Sequence, residues 1–406
     1  MTLKVLFTLF FLPLLLAGCS RTGPAQSQSE EKKPQTQSNP ISVGGKPVIN
    51  LERPRLQTPN IPQFLSVQVL PGRGMNLFQI RAYLPGKGEI NLISSPSLDE
   101  AAKLLAGGPD DPYGNESFKL GGAILVPYAN RIRGKLSADG KTIEAQIAGK
   151  PVALPANWQG KNPGAEKHAM HGMILDAKFE DVNVTNNADE SHVDGTLHAR
   201  NFGGHWLSSA DVSVRTTLRD SYVEMEVRVK NAGQETLPVG VGWHPYFAIP
   251  SGDRQQARLH VPASRRVIVN NYDDVFPTGK IVPTVGTAYD FTAAGGAPLK
   301  GQFLDESFID LKRQPDGSVV TEVIDPAADY GLRITAFSKE VQAIQTYSPP
   351  EKSFVAIEPQ FNFGDPYGKV WGKADTGMVN VKPGDSVTYR VRLELFQPSQ
   401  SSGQSK

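Results

Sequence analysis

Two stretches of the chain alternate apolar and polar side chains residue by residue. The apolar positions are Val223, Met225, Val227 and Val229 in the first stretch, and Val387, Tyr389, Val391, Leu393 and Leu395 in the second. A strand turns successive side chains to opposite faces, so this alternation predicts two strands that each bury one face. Shorter runs of β-type residues recur at 212–218, 265–270, 332–337 and 354–357.

Helix signals are scarce in comparison. The best helix candidate, residues 97–106, starts with a capping-box pair at Ser97 and Glu100. Many strands with hardly a helix indicate an antiparallel sandwich or barrel rather than a parallel sheet with crossover helices. No repeat of fixed period is present, which disfavours a propeller or a solenoid. We therefore predict an all-β fold with hairpin turns at Asp139-Gly140 and Asp316-Gly317.

The N-terminus reads as an export signal. Residues 1–18 combine a positive charge at Lys4 with an apolar core over residues 5–16, which is too short for a stable membrane span. Leu16-Ala17-Gly18-Cys19 resembles a bacterial lipobox, in which the cysteine is lipidated and becomes the mature N-terminus. We expect an extracytoplasmic protein of the bacterial cell envelope, anchored through Cys19. An ordinary cleaved signal with a chance cysteine is the alternative.

The rest of the chain divides by composition. Residues 19–60 are rich in Ser, Gln, Pro, Lys and Thr and predict a disordered tether, because so few large apolar side chains cannot offset the entropy lost on ordering. Residues 61–397 show no break in composition, and we interpret them as one domain. Residues 398–406 are a polar tail.

Charge and cysteine usage exclude several classes of function. The chain carries 42 basic and 41 acidic side chains for a net charge of +1, which gives no electrostatic case for nucleic acid or an anionic membrane surface. A neutral small-molecule partner fits better, with membrane contact through the lipid anchor only. With 1 cysteine, the chain can form neither an internal disulfide nor a thiolate metal cluster. The oligomeric state stays open.

One histidine stands out within a rigid apolar run. His244 lies between Trp243 and Pro245, and imidazole is the side chain whose ordinary pKa is near neutrality, so it is a candidate general acid or base. Proline restricts the residue before it, which predicts a strand end or a bend at His244. The alternative is a core histidine that only hydrogen-bonds to backbone.

Two further segments carry candidate binding groups. Asn130 and Arg131 follow an apolar strand and offer donors and an acceptor suited to sugar hydroxyls or a carboxylate, although a surface loop would read the same way. Of His168 and His171, we favour His171, because the following glycine would let a substrate approach closely. The histidine spacing fits no metal-ligand set, and we predict no metal.

Three polar side chains in the second half of the chain are candidates for the site. Gln345 and Glu358 each interrupt an apolar strand just before a turn. Asp305 lies beside Glu306 between apolar residues at a predicted strand end, where a solvated turn is the alternative. Glu358, between Ile357 and Pro359, is expected to be partly desolvated, which would raise its pKa toward the range of a catalytic base. A glutamate turned outward on a half-buried strand is the alternative.

Taken together, these motifs resemble the aldose 1-epimerases, or galactose mutarotases. The motifs occur in the family's order and rough spacing over most of the region from about Val67 to Leu395, and they are Asn130-Arg131, His171-Gly172, His244-Pro245-Tyr246-Phe247, Leu304-Asp305, Gln345 and Glu358-Pro359-Gln360. The resemblance implies a large antiparallel β-sandwich, the galactose mutarotase-like supersandwich, which binds a free hexose such as glucose or galactose and interconverts its α and β anomers.

The resemblance also implies roles for the residues. Glu358 would take the proton of the anomeric hydroxyl and His244 would protonate the ring oxygen, while His171 would assist at the ring oxygen or a neighbouring hydroxyl. Sugar hydroxyls would be held by Asn130, Arg131, Asp305 and Gln345. The residues agree independently, because opening a hemiacetal requires one group that removes a proton and another that donates one. We expect no cofactor, since a dinucleotide fingerprint and a P-loop are absent from the sequence.

Three rival functions remain on the sequence alone. A hexose-6-phosphate 1-epimerase would need an arginine cluster for the phosphate, for which Arg131 and Arg133 are available. A non-catalytic carbohydrate-binding lipoprotein would need no acid and base pair. A polysaccharide-cleaving sandwich would need a longer groove and an acid with a partner carboxylate.

Overall fold

The computed structural model describes residues 41–109 and 111–401. Its strands in chain order are β1 (Ser42–Val43), β2 (Lys46–Pro47), β3 (Ile49–Glu52), β4 (Gln63–Leu70), β5 (Asn76–Leu84), β6 (Gly88–Asn91), β7 (Gly122–Leu125), β8 (Arg131–Ile132), β9 (Lys135–Leu136), β10 (Thr142–Ile147), β11 (Lys150–Pro155), β12 (Trp158–Gln159), β13 (Lys167–Met170), β14 (Glu180–Asn186), β15 (Ser191–Arg200), β16 (Ala210–Leu218), β17 (Tyr222–Asn231), β18 (Leu237–Val239), β19 (Gly242–Ala248), β20 (Arg258–His260), β21 (Ala263–Val269), β22 (Pro277–Pro283), β23 (Ala297–Pro298), β24 (Leu304–Leu311), β25 (Val319–Asp325), β26 (Tyr330–Ala336), β27 (Ala343–Ser348), β28 (Phe354–Gln360), β29 (Val379–Val381) and β30 (Ser386–Phe396).

Helical segments are short. They are α1 (Leu98–Leu104), α2 (Glu116–Lys119), α3 (Pro398–Ser401) and the 3-10 turns Pro71–Arg73, Pro112–Gly114, Phe202–Gly204, Pro326–Ala328 and Lys369–Trp371. The predicted helix is confirmed as α1, and the Ser97 side chain caps it by accepting from the Glu100 N–H. Within the described residues, the helices are all too short or too polar to cross a membrane.

Two large sheets dominate the fold, which confirms the predicted all-β antiparallel sandwich. The first has nine strands in the order β14-β15-β16-β17-β30-β26-β25-β20-β23, and the second has seven in the order β22-β21-β24-β27-β28-β19-β7. One apolar core contains side chains from both, such as Val227 of the first sheet and Ile357 of the second. A hydrogen bond of 2.9 Å also joins them, from the Tyr389 hydroxyl of β30 to the Pro359 carbonyl of β28.

The alternating stretches are confirmed as neighbouring strands. β17 and β30 pair antiparallel, with Val227 opposite Tyr389, and their alternating apolar side chains are buried except for Leu395, which is partly buried. Burying one face of each strand against the second sheet is the main source of stability that this pattern can supply.

The second sheet buries one face and presents the other to a cavity. On β19, Trp243 and Phe247 point into the core while His244 and Tyr246 point away from it. On β28, Ile357 is in the core and Glu358 faces the cavity. Because side chains alternate along a strand, a buried apolar face on one side places a row of polar groups on the other.

Two expectations about local structure are wrong. The predicted tether reaches too far, because β3 (Ile49–Glu52) pairs with β4 and buries Leu51 completely. In the predicted polar tail, α3 forms over Pro398–Ser401, where the Ser399 hydroxyl donates to Asp329 over 2.7 Å. The turn at Asp316-Gly317 joins β24 to β25, which lie in different sheets, so it is not a hairpin. The hairpin at Asp139-Gly140 is confirmed between β9 and β10.

His244 does not lie at a strand end. It lies in the middle of β19, directly before Pro245, because an extended backbone is compatible with the fixed φ of proline. The regular pairing of β19 with β28 is recorded at Gly242 and again from Tyr246 onward, and the stretch between contains Pro245 and faces Pro359. Each proline removes one backbone donor, which interrupts the ladder beside the two candidate catalytic residues.

Residues 1–40 and 402–406 lie outside the described residues. The predicted signal peptide, the lipidation site Cys19 and most of the tether therefore remain predictions.

Candidate active site

A cavity of 860 Å³ lies on the outer face of the seven-stranded sheet. It brings together all of the predicted catalytic and binding residues, which are Glu358, His244, His171, Asn130, Arg131, Asp305 and Gln345. They come from β8, β19, β24, β27 and β28 and from the loops beside β8 and β13. Sequence positions more than two hundred residues apart therefore converge on one hollow.

The candidate acid and base are adjacent. The register that pairs Gly242 with Gln360 and Tyr246 with Ala356 places His244 opposite Glu358 on the neighbouring strand. Their side chains meet on the cavity face, with His244 Nε2 at 3.3 Å from Glu358 Oε1. His244 is 5% exposed and Glu358 is 1% exposed, so both are largely shielded from water. Neither the core-histidine alternative nor the outward-facing glutamate alternative fits this arrangement.

Burial raises the pKa of Glu358 well above its usual value, and the negative charge of Asp305 raises it further. A hydrogen bond and a cation act in the opposite direction. Gln360 Nε2 donates to Glu358 Oε2 over 2.8 Å, and the positive charge of Arg131 also favours the carboxylate. Because Oε2 is held by Gln360, Oε1 is the oxygen directed toward His244.

Burial, together with the nearby positive charge of Arg131, lowers the pKa of His244 to about 4. His171 packs against it edge to face, with ring centroids 5.1 Å apart, and Phe118 covers His171 at 4.7 Å. The pKa of His171 is also lowered well below its usual value, by burial and then by His244. Burial therefore favours the neutral form of both imidazoles near neutral pH.

The choice of His171 over His168 agrees with the structure, but the reason given for it is wrong. His168 lies away from the cavity lining, where it packs against Phe276, and its Nδ1 lies 2.9 Å from the Glu166 carbonyl. A side chain on Gly172 would meet the backbone of Val126 at 2.3 Å. That glycine is needed for close packing of two loops rather than for the approach of a substrate.

The four predicted binding residues form one hydrogen-bonded chain along the cavity floor. Arg131 Nη1 donates to Asn130 Oδ1 over 3.0 Å, and Asn130 Nδ2 donates to Gln345 Oε1 over 3.3 Å. Gln345 Nε2 then donates to Asp305 Oδ1 over 2.7 Å. Each member is oriented by the next, so the chain presents preorganised polar atoms to a ligand.

Arg131 is the cation of this floor. Burial lowers the pKa of its guanidinium, while the charges of Asp305 and Glu358 raise it. Burial also raises the pKa of Asp305, opposed by Arg131 and by the hydrogen bond from Gln345. One guanidinium thus balances two carboxyl groups in a site that excludes most water.

Two residues that the sequence reasoning missed hold the Asn130-Arg131 segment. The buried side chain of Asn362 bonds both backbone groups of Ala129, accepting from its N–H over 3.0 Å and donating to its carbonyl over 2.9 Å. Asp365 accepts from the Arg133 N–H over 3.0 Å, and its own N–H donates to the Arg131 carbonyl. These contacts support Asn130 at a φ of 62°, which is left-handed and unusual for a residue other than glycine.

The aromatic part of the lining was also missed, although the sequence shows these residues beside the predicted ones. The rings that line the cavity are Phe118, Trp158, Tyr246, Tyr272, Phe303, Tyr347 and Phe354. Among the described residues, no group of three or more His, Cys, Asp or Glu side chains is arranged to hold a metal ion. The arrangement offers proton transfer between a carboxyl and an imidazole, beside a polar floor and under aromatic walls.

The sequence model of the aldose 1-epimerase family matches residues 91–394 of this chain. The chain belongs to the aldose 1-epimerase family. All of the predicted catalytic and sugar-binding residues fall within the matched region.

Individual relatives are more distant. An Escherichia coli protein called uncharacterized protein YphB is 24% identical over 292 residues, which cover 67% of this chain and 82% of that protein. Solved structures similar to this epimerase-family chain include a galactose mutarotase-like protein from Clostridium acetobutylicum, at 17% identity with a TM-score of 0.65, covering 86% of this chain and 98% of that one. A GalM/aldose epimerase homologue from C. elegans has 18% identity and a TM-score of 0.59, covering 82% and 95%. At these identities the structures establish the fold.

Proposed function

We propose that this chain is an aldose 1-epimerase that interconverts the α and β anomers of a free hexose, such as glucose or galactose. The observation that carries the proposal is the 3.3 Å contact between His244 Nε2 and Glu358 Oε1 in a cavity that can hold a hexose. Anomer exchange needs a base for O1 and an acid for O5. Because these two oxygens are bonded to the same carbon, the acid and the base must lie side by side, as this pair does.

The reaction follows from that placement. Glu358 removes the proton from O1, the C1–O1 double bond forms, the C1–O5 bond breaks, and O5 takes a proton from His244. Rotation about C1–C2 then turns the other carbonyl face toward O5. In closure, O5 attacks C1 and returns its proton to His244, while O1 takes the proton from Glu358. Every atom and proton is conserved.

The pair needs one shared proton to do this. Burial favours the arrangement in which Glu358 is protonated and His244 is neutral. Moving that proton across the 3.3 Å contact gives a carboxylate and an imidazolium, with the same number of protons in the pair. Arg131, which favours the ionised form of Glu358, supports the reactive arrangement. The two groups therefore titrate as a unit.

The remaining polar groups bind and orient the sugar. Asn130, Arg131, Asp305 and Gln345 face the cavity as one hydrogen-bonded chain and are suited to the alternating donors and acceptors of a hexose. His171, packed edge to face against His244, is placed to contact the ring oxygen or an adjacent hydroxyl. Holding the sugar still while its ring opens is a large part of what such a site contributes.

One rival loses its main support. The hexose-6-phosphate reading uses Arg131 and Arg133 to bind phosphate, but Arg133 makes a two-point ion pair with Glu166, with both contacts at 2.8 Å, and is absent from the cavity lining. Arg131 is already directed toward Asn130. The cavity floor is therefore better suited to a neutral hexose.

Polarimetry tests the proposal. The purified domain should accelerate the mutarotation of freshly dissolved α-glucose or α-galactose, and Glu358→Gln or His244→Asn should lower that rate by more than about a hundredfold. Binding of the sugar without acceleration would favour a carbohydrate-binding protein. Activity on phosphorylated sugars alone would favour the hexose-6-phosphate epimerase, and release of monosaccharide from a glycan would favour glycoside cleavage.

We further propose that the protein is lipid-anchored at Cys19 in the bacterial cell envelope. The support is the lipobox-like Leu16-Ala17-Gly18-Cys19 after a short apolar run. Palmitate labelling of the full-length protein that disappears in Cys19→Ala would support the anchor. Absence of labelling in the unaltered protein would contradict it.

A further inference from the structure

The cavity continues well past the catalytic pair. On β28, Phe354 lies four residues before Glu358 and faces the same side of the sheet, and both line the cavity. At the rise of an extended strand, these positions are about 13 Å apart. Pockets of about 300–1,000 Å³ enclose drug-sized ligands, and this cavity of 860 Å³ is near the top of that range. A single pyranose ring held at Glu358 would leave much of the hollow empty.

The extra space is walled by a continuous series of aromatic rings. Tyr246 beside His244 contacts Phe354 at 5.0 Å between centroids, and Phe354 contacts Tyr347 at 6.1 Å. Tyr347 contacts Phe303 at 6.1 Å, and Phe303 contacts Tyr272 at 5.1 Å. The series runs from the catalytic row to the cavity mouth. Aromatic rings present apolar faces to the C–H groups of a sugar, with polar handles where they are tyrosines.

Tyr272 ends the series in an unusual way for a surface residue. It is 48% exposed, but its hydroxyl donates to Glu306, which is 0% exposed. Arg266 Nη1 holds the other oxygen of Glu306 over 2.6 Å, and the Arg266 guanidinium lies 3.7 Å above the ring of Tyr289. A half-exposed ring tied to a buried ion pair keeps one position, so its exposed surface is a preorganised contact rather than a mobile one.

We propose that Tyr272 and Phe303 form an outer subsite that binds a second sugar residue. The substrates favoured by this chain would then be reducing disaccharides or longer oligosaccharides, with the reducing hexose at Glu358 and His244 and the next residue against the two rings. The inference rests on the proposed mutarotase function and specifies its substrate class. Lys161, Asp273 and Lys352 also line the cavity and supply polar atoms for hydroxyls of the second residue.

Two measurements on the same protein test this. Calorimetric titration gives the Kd for glucose and for lactose, maltose and cellobiose, and polarimetry gives kcat/KM for their mutarotation. We expect at least one disaccharide to bind about tenfold more tightly than glucose and to have a correspondingly higher kcat/KM, as one good aromatic contact provides. Tyr272→Ala should abolish this preference, lowering affinity and kcat/KM for the preferred disaccharide about tenfold more than for glucose.

Matched variants separate the subsite from general damage. Tyr272→Phe keeps the ring but loses the bond to Glu306, and we expect it to retain part of the preference. Tyr113→Ala removes a tyrosine of similar exposure, 40%, that is not part of the cavity lining, and it should change nothing. Equal affinity for glucose and all three disaccharides, or equal losses for both classes in Tyr272→Ala, would overturn the subsite.

The binding measurement keeps this test independent of the proposed function. A disaccharide preference that depends on Tyr272, without any acceleration of mutarotation, would overturn the proposed function and support the subsite. Acceleration of glucose mutarotation without any disaccharide preference would do the reverse.

Discussion

The buried pair predicts an unusual pH dependence. Burial lowers the pKa of His244 to about 4, and burial raises that of Glu358. Above about pH 4, His244 is neutral and the pair is not doubly protonated, so kcat/KM for mutarotation should not fall across mildly acidic pH. Below about pH 4 a second proton occupies the base, and kcat/KM should fall about tenfold for each pH unit.

The magnitude distinguishes this account from an ordinary histidine. At pH 5, an enzyme limited by a group with a pKa of about 4 keeps about nine-tenths of its plateau activity, whereas a group at the usual 6.5 would leave about 3%. The assay is polarimetry of α-glucose from pH 4 to 8, with the spontaneous rate in each buffer subtracted. Circular dichroism at each pH confirms that the protein stays folded. An acid limb centred near pH 6.5 would refute the reasoning.

Two other predictions concern residues outside the reacting pair. Asn362→Ala removes both hydrogen bonds to Ala129 and leaves buried backbone groups unpaired, so we expect a loss of about 2 to 4 kcal/mol in the free energy of unfolding and a lower kcat. Denaturant titration and polarimetry measure these, and an unchanged kcat in a destabilised variant would mean that Asn362 does not position Asn130. His168, buried with its pKa lowered to about 4, is neutral in the folded chain and titrates near 6.5 when unfolded. Its contribution to stability is therefore present above pH 6.5 and is lost as the pH falls toward 4. Because the pKa values of His244 and His171 are also lowered, His168→Gln should make that part of the stability profile less steep without flattening it, whereas an unchanged slope would contradict the assignment.

The parts of the fold that could be predicted are those with a local signal. β17 and β30 carry strict alternation because each has one buried face, and α1 has a side-chain cap. Glu358 and Gln345 could be recognised because each places a polar side chain within an apolar strand, which is unfavourable unless that side chain has a partner or a function. The family resemblance then supplied the combination of residues, and the antiparallel register of β27 and β28 places these two opposite each other.

The parts that could not be predicted depend on distant contacts. Leu51 and Val43 are buried by packing against other parts of the chain. The sequence of residues 41–52 has no local pattern that predicts this burial, so the segment was included in the predicted tether. Asn362 follows the Glu358 strand and gives no local sign that it clamps a segment more than two hundred residues away. Gln360 belongs to a recognised motif, but only the 2.8 Å bond to Glu358 identifies it as the residue that orients the base.

The central claim is that Glu358 and His244 act as one proton-sharing unit on a single anomeric carbon. The most direct test is the mutarotation rate of α-glucose for Glu358→Gln, for His244→Asn and for the double variant. Two groups that work as a unit should give a double variant no more than about tenfold slower than the slower single variant. Losses that multiply, or a single variant that keeps more than about a tenth of the rate, would contradict the claim.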